Sequence, residues 1–182
     1  YSKNIELFIS VVGFSVGIII LVIGLGFEWI VGDSYVQAKM LVPVAIWGGF
    51  FSTFAGVIGN VMGAEKSTAR LFISTAISGV FNMVCVNMIG KLYRTQGVNL
   101  IIFLSFTLMT IVRYLIIKKE HRVILRMKPQ ILLIFEIILS VIVYMLDLTI
   151  LSIFTIGILV YIFGVKNQMM IKKLYKTLTL KF

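Results

Sequence analysis

Residues 131–165 read ILLIFEIILSVIVYMLDLTILSIFTIGILVYIFGV, a run with no base and only two acids, Glu136 and Asp147. As one helix it would be about 50 Å long at 1.5 Å per residue, too long for a single crossing of a hydrocarbon core of roughly 30 Å. Asp147 followed by Thr149 supplies the turn signal that divides it. The run is therefore two short spans, about 130–146 and 150–165, folded back as a hairpin.

Working outward from that hairpin, four more apolar stretches of crossing length precede it, at about 5–29, 40–62, 71–89 and 98–117. Short polar joints separate them. Pro43 stands near the start of the second, where a missing amide costs little because a first-turn amide has no helical partner. The expected architecture is all-α: a polytopic helical membrane protein with about six transmembrane helices in residues 1–165. A basic tail, 166–182, follows. The composition agrees, with 60% hydrophobic and 13% charged residues and a mean hydropathy of +1.08, outside the range of water-soluble domains.

The 17 bases against 7 acids give a formal charge of +10, which could suggest nucleic acid as a partner. Their distribution excludes it, because Lys and Arg avoid the apolar runs and no surface domain remains to carry a groove-reading element. They gather instead at alternate joints. Lys3, Lys66 and Arg70, the run Lys118, Lys119, Arg122, Arg126 and Lys128, and the tail with Lys166, Lys172, Lys173, Lys176 and Lys181 fall on one side. Lys39, Lys91 and Arg94 fall on the other. By the positive-inside bias both ends of the chain are cytoplasmic. Residues 118–128 and the tail, where Ile171, Leu174, Tyr175 and Leu178 share a face, read as interfacial helices on anionic membrane lipids.

Ionisable and amide groups inside the spans are the candidate functional residues, since each is expensive in hydrocarbon. Glu136 lies about six residues into the fifth span, roughly 9 Å below its boundary, too deep for a carboxylate to snorkel. Arg113 sits about four residues before the fourth span ends, within reach of the interface by snorkelling; its alternative use is bidentate contact with a phosphate or carboxylate. Asn60, Asn82 and Asn87, with Ser52, Thr53, Ser74, Thr75 and Ser78, give the second and third spans a polar side suited to interhelical hydrogen bonds. Gly56, Gly59 and Gly63 suit close helix packing. Lys91 and Arg94 stand in an outward joint against the charge rule, either tolerated there or meeting an anionic head group.

Cys85 is the only cysteine and lies in an apolar run, so no intrachain disulfide or cysteine zinc cluster forms. His121 is the only histidine, and the sequence contains no HExxH, GxSxG, phosphate-binding Gly-Lys loop or paired acids. The expectation is a non-enzyme without cofactor or metal. The chain begins at Tyr1 with no basic n-region before its first apolar run, and so reads as the C-terminal part of a longer protein.

Four short segments carry a resemblance: Gly32-Asp33-Ser34-Tyr35-Val36-Gln37-Ala38, the Gly56 to Lys66 stretch ending Gly63-Ala64-Glu65-Lys66, Asn82 in the next span, and Gln96-Gly97-Val98-Asn99. In order and spacing the region Gly32 to Ile117 resembles the C-terminal part of polysaccharide repeat-unit flippases, the O-antigen transporters of the multidrug/oligosaccharidyl-lipid/polysaccharide exporter superfamily. Met88-Ile89-Gly90-Lys91 departs from the family pattern in lacking a proline, as does Val98-Asn99 in place of a small pair. The hairpin 130–165 aligns with no family motif.

The resemblance implies one lobe of a two-lobe transporter of the bacterial inner membrane, the missing N-terminal half supplying the other. It implies a lipid-linked oligosaccharide as cargo, carried by undecaprenyl diphosphate and moved outward by alternating access around a polar cavity. Arg113, Lys91, Arg94, Asn60 and Asn82 are then the candidate substrate-binding residues, and Glu136 a candidate for a coupling cation or proton. The competing expectations are a drug/cation antiporter of the same superfamily, which calls for deep acidic residues, and a non-transporting membrane assembly subunit, which needs no cavity.

Overall fold

A computed structural model describes residues 2–31, 33–121 and 127–166. The expected interfacial tail, and residues 122–126 of the basic segment, lie outside them. Among the described residues the chain is helical throughout, with no strand. Six α-helices follow one another: α1 (Ser2–Ile30), α2 (Val42–Ala64), α3 (Thr68–Cys85), α4 (Lys91–His121), α5 (Met127–Leu146) and α6 (Thr149–Lys166). A 3₁₀ segment, Asp33–Leu41, leads into α2, and a π-helical turn, Val86–Gly90, joins α3 to α4.

Four helical stretches are long and apolar enough to cross a membrane: Ile5–Phe27, Gln37–Ala64, Thr68–Gly90 and Tyr93–Lys119. Two are shorter, Gln130–Leu146 and Thr149–Val165. At 17 residues each, these two rise about 26 Å, which falls short of the roughly 30 Å core for an untilted helix.

The turns obey local chemistry. Pro43 stands in the first turn of α2 as its lack of an amide allows. At the other end of α2, Lys66 takes a left-handed φ of 57°, and the Ser67 amide donates back to the Met62 carbonyl at 3.0 Å, satisfying a carbonyl the helix end would orphan. Asp147 takes φ 52° between α5 and α6, a conformation that Asp tolerates better than most side chains. The hairpin turn falls where the sequence placed it.

The third joint differs from expectation. Residues 90–97 do not form an open joint: the chain stays helical through the π-turn and bends sharply at Arg94, whose φ 48°, ψ −134° is a strained position for a residue with a Cβ. Gly90 and Gly97 close this bend. A Cβ on Gly97 would stand 2.8 Å from the Tyr93 Cβ.

α1 packs on α5, α6 and α2, while α2 packs mainly on α4. Trp47, Phe50, Phe54 and Ile58 of α2 meet Ile5, Ile9 and Phe14 of α1 in one apolar core. Trp47 also donates its indole N–H to Ser140 of α5 at 3.1 Å, tying the two groups of helices together. Gly24 lets the ring of Tyr144 approach α1, since a Cβ there would stand 2.9 Å from Cδ2.

The burial pattern of the outer helices inverts that of a water-soluble protein. On α3 the buried residues are Ser74 and Ser78, while Phe72, Ile73, Val80 and Met83 are exposed. On α5 Glu136 and Ser140 are buried and Ile134, Phe135, Ile138 and Ile142 exposed; on α6 Ser152 and Thr155 are buried and Ile150, Ile153 and Phe154 exposed. Large apolar side chains facing outward from helices that bury serine and threonine suit hydrocarbon, where interhelical hydrogen bonds and small residues hold helices together.

Candidate functional site

Three segments far apart in sequence meet at one end of the bundle: the 3₁₀ segment 33–41, the bend at 94–97 and the turn at Asp147. Lys39 donates to both carboxylate oxygens of Asp147, at 2.8 and 2.7 Å, across 108 residues of sequence. Tyr144 donates its hydroxyl to the Lys39 carbonyl at 2.9 Å. Asn99 donates to the Leu41 carbonyl at 2.8 Å, which pins the start of α2 to α4. In an up-and-down bundle every second joint returns to the same end, as these three do.

Around these contacts lie three neighbouring open clefts. One of about 510 Å³ is lined by Gln37, Lys39, Gln96, Tyr144 and Asp147 among others. Beside it, sharing Gln37 and Gln96, lies one of about 450 Å³ with Tyr93, Arg94 and Thr95 on its wall. On the far side of the Lys39–Asp147 pair is a third, of about 240 Å³, between α1 and the hairpin turn, with Trp29, Thr149 and Ser152. Amides, hydroxyls and the exposed Arg94 give this end the means to hydrogen-bond a polyol or an anion. Among the described residues no group of His, Cys, Asp or Glu could hold a metal ion.

Compared with known protein families, with curated proteins and with solved structures, the chain finds no match in any of the three. The functional reading therefore rests on the residues themselves.

The second polar centre lies within the bundle. Arg113 of α4 is 9% exposed, and its guanidinium is shared between two other helices. Nε donates to the Ser74 hydroxyl at 3.1 Å, Nη2 to the Thr75 hydroxyl at 3.0 Å, and Nη1 to the Ala55 carbonyl of α2 at 2.7 Å. The side chain does not run to the helix end as snorkelling would have it. It passes Gly59, where a Cβ would stand 2.7 Å from Nη1, so the glycine is the gap through which the cation reaches α2.

The other sequence candidates are dispersed. Asn82 is half-buried and donates to Ser105 of α4 at 3.0 Å, a helix-to-helix bond of the kind its position suggested. Asn60 is exposed, on the side of α2 turned away from the core. Arg94 is exposed at the cleft, and the side chain of its neighbour Lys91 lies outside the described residues. Glu136 is 2% exposed and faces α1, with Oε2 3.4 Å from the position of a Cβ on Gly13.

Arg94 thus joins the end cleft, Arg113 and Asn82 knit α2, α3 and α4, and Glu136 belongs to the α1–α5 contact. Sequence reasoning passed over the Lys39–Asp147 pair and the amides of Gln37 and Gln96 as site residues. A signal existed: Lys39 and Asp147 are opposite charges in joints assigned to the same side.

Proposed function

We propose that the chain is one lobe of a membrane exporter that carries a lipid-linked oligosaccharide, with six spans and both ends cytoplasmic. The cargo in this reading is an undecaprenyl-diphosphate-linked repeat unit, moved outward across the bacterial inner membrane for surface polysaccharide synthesis. The observation that carries it is the convergence of two of the motif segments behind the resemblance, 33–38 and 96–99, on one cleft lined by Gln37, Gln96 and Arg94. Amide side chains and a guanidinium suit a sugar diphosphate, whose hydroxyls and charge need compensation once stripped of water.

Arg113 supports the same reading, because a buried cation gives the lobe a positive interior. The antiporter alternative draws support from Glu136 alone. The test is to complement a strain lacking its repeat-unit flippase with the full-length protein, then with Arg94→Ala, Lys91→Ala and Arg113→Ala versions, and to assay which leaflet holds the lipid-linked sugar. Restoration by the parent, lost in a variant still present in the membrane, supports the reading. Failure of the well-expressed parent to restore, with the matching sugar pathway present, overturns it.

A further inference from the structure

The cleft of about 240 Å³ between α1 and the hairpin turn differs in chemistry from the two beside it, because its wall is mostly polar. Lys39, Tyr144, Asp147, Thr149 and Ser152 bring polar groups to it, and Leu21 and Leu25 of α1 supply an apolar side. The indole of Trp29, near the end of α1, also borders it. Its volume falls below the roughly 300 Å³ at which sites for drug-sized ligands begin. A molecule of one small ring fits that space, and an extended chain does not.

Ser152 points to an occupant. The residue is 6% exposed and borders the cleft, yet its hydroxyl makes no hydrogen bond among the described residues. Other hydroxyls of the hairpin are satisfied within their own helix: Ser140 donates to the Ile137 carbonyl at 3.2 Å and Thr155 to the Leu151 carbonyl at 2.7 Å. A buried hydroxyl without a partner is unfavourable, and a hydrogen-bonding molecule in the cleft removes the cost. Thr149, exposed at the same cleft, also leaves its hydroxyl unused among the described residues. Trp29 is 94% exposed, so its ring face is open to whatever enters.

The charges decide the class of that molecule. Lys39 and Asp147 border the cleft as a closed pair at 2.7 Å, so their charges balance. An anion would meet the Asp147 carboxylate, and a cation the Lys39 ammonium. What suits the wall is a neutral molecule whose groups both donate and accept: acceptors for Ser152 and Thr149, donors for Asp147, whose side chain is still 60% exposed. The indole adds a demand for C–H surface, since the negative face of its π system attracts the weakly positive hydrogens on one face of a sugar ring. A pyranose has hydroxyls around its rim, a C–H face and the size of one ring. We infer that this cleft is a binding site for a single neutral sugar residue, with Trp29 as its stacking platform and Asp147, Thr149 and Ser152 as its hydrogen-bonding partners. The inference goes beyond the exporter reading, because it needs the sugar and not its transport.

The test is saturation-transfer NMR on the full-length protein in a detergent without a sugar head group, with glucose, galactose and N-acetylglucosamine as probes. At least one sugar is expected to give a saturable signal. Trp29→Ala and Ser152→Ala should each weaken its affinity by about threefold to tenfold, the loss expected for one contact of this kind, while Phe72→Ala on the exposed side of α3 leaves it unchanged. Trp29 is exposed and Ser152→Ala removes one unbonded hydroxyl, so neither variant disturbs packing. Inorganic phosphate added as a competitor should not displace the sugar. No saturable signal from any of the three sugars overturns the inference, as does displacement by phosphate. An affinity unmoved by both Trp29→Ala and Ser152→Ala overturns it too, and leaves Trp29 as an anchor at the membrane interface only. Sugar binding without movement of lipid-linked sugar keeps the site and removes the exporter; movement without sugar binding does the reverse.

Discussion

Gly59→Ala is expected to destabilise the bundle through Arg113 alone. The added Cβ would stand 2.7 Å from Nη1, and since carbon contacts of this kind settle near 3.5 Å, the guanidinium must withdraw by about 0.8 Å. Nη1 is anchored to the Ala55 carbonyl at 2.7 Å, so a retreat of that size carries the bond to about 3.5 Å, past the useful hydrogen-bonding range. Interhelical hydrogen bonds in membrane proteins are worth about 0.6 kcal/mol on average and up to about 1.7; bonds from a charged donor run to about 3 in soluble proteins. A loss of about 1–2 kcal/mol follows for Gly59→Ala. Leu71 Cδ2, at 3.3 Å, can yield by a small rotation and adds little.

In an Arg113→Ala background the obstacle is gone, and the same substitution should cost nothing or recover up to about 1 kcal/mol of helix propensity. The assay is a double-mutant cycle on the full-length protein in detergent, unfolded by increasing denaturant. A coupling energy of about 1–3 kcal/mol between positions 59 and 113 is expected. Equal cost of Gly59→Ala in both backgrounds would refute the claim that the glycine exists to admit the cation.

Other substitutions test the remaining contacts. Gly24→Val should cost about 1–3 kcal/mol by forcing the Tyr144 ring from α1, whereas Gly56→Ala, with open space around it, should cost nothing or raise stability by up to about 1 kcal/mol; denaturant midpoints compare the two. Lys39→Ala and Asp147→Ala should couple by about 0.2–1 kcal/mol, the range for ion pairs exposed as Asp147 is, and the coupling should shrink in high salt. Arg94→Gly should raise stability by about 1 kcal/mol by relieving its φ of 48°, and a thermal melt in which Arg94→Ala gains as much would discount backbone strain.

The helices were legible because each apolar run could be measured against the length a hydrocarbon core demands, and the Asp147 turn because an acid between two apolar runs breaks them. The π-turn and the bend at Arg94 were not. Polar residues 90–97 read equally well as an open joint, and nothing in their composition marks the π-turn before Lys91 or the sharp bend at Arg94. Asn82 could be read as a helix-to-helix donor from its position alone. Arg113 could not be placed: its distance from the span end allows snorkelling, and what diverts it is the gap at Gly59 on another helix, fifty-four residues away in sequence. The Lys39–Asp147 pair was hidden for the same reason, a contact across 108 residues.

The surroundings of Arg113 bear on why this bundle tolerates a buried guanidinium. Were all faces of the bundle lipid-facing, a cation 9% exposed with only hydroxyl and carbonyl partners would carry a desolvation cost of several kcal/mol that three neutral hydrogen bonds offset only in part. Replacing it by leucine would then stabilise the fold. If instead water enters the α2–α3 crevice, where Thr75 is exposed, the residual charge is screened there, and the bonds to Ser74, Thr75 and Ala55 serve to aim the guanidinium rather than to hide it. Arg113→Leu therefore separates the two environments by sign. In detergent, a gain of stability of about 1 kcal/mol or more would speak for a dry, structural cation, while a loss, partly recovered by Arg113→Lys, would speak for a charge that water already reaches.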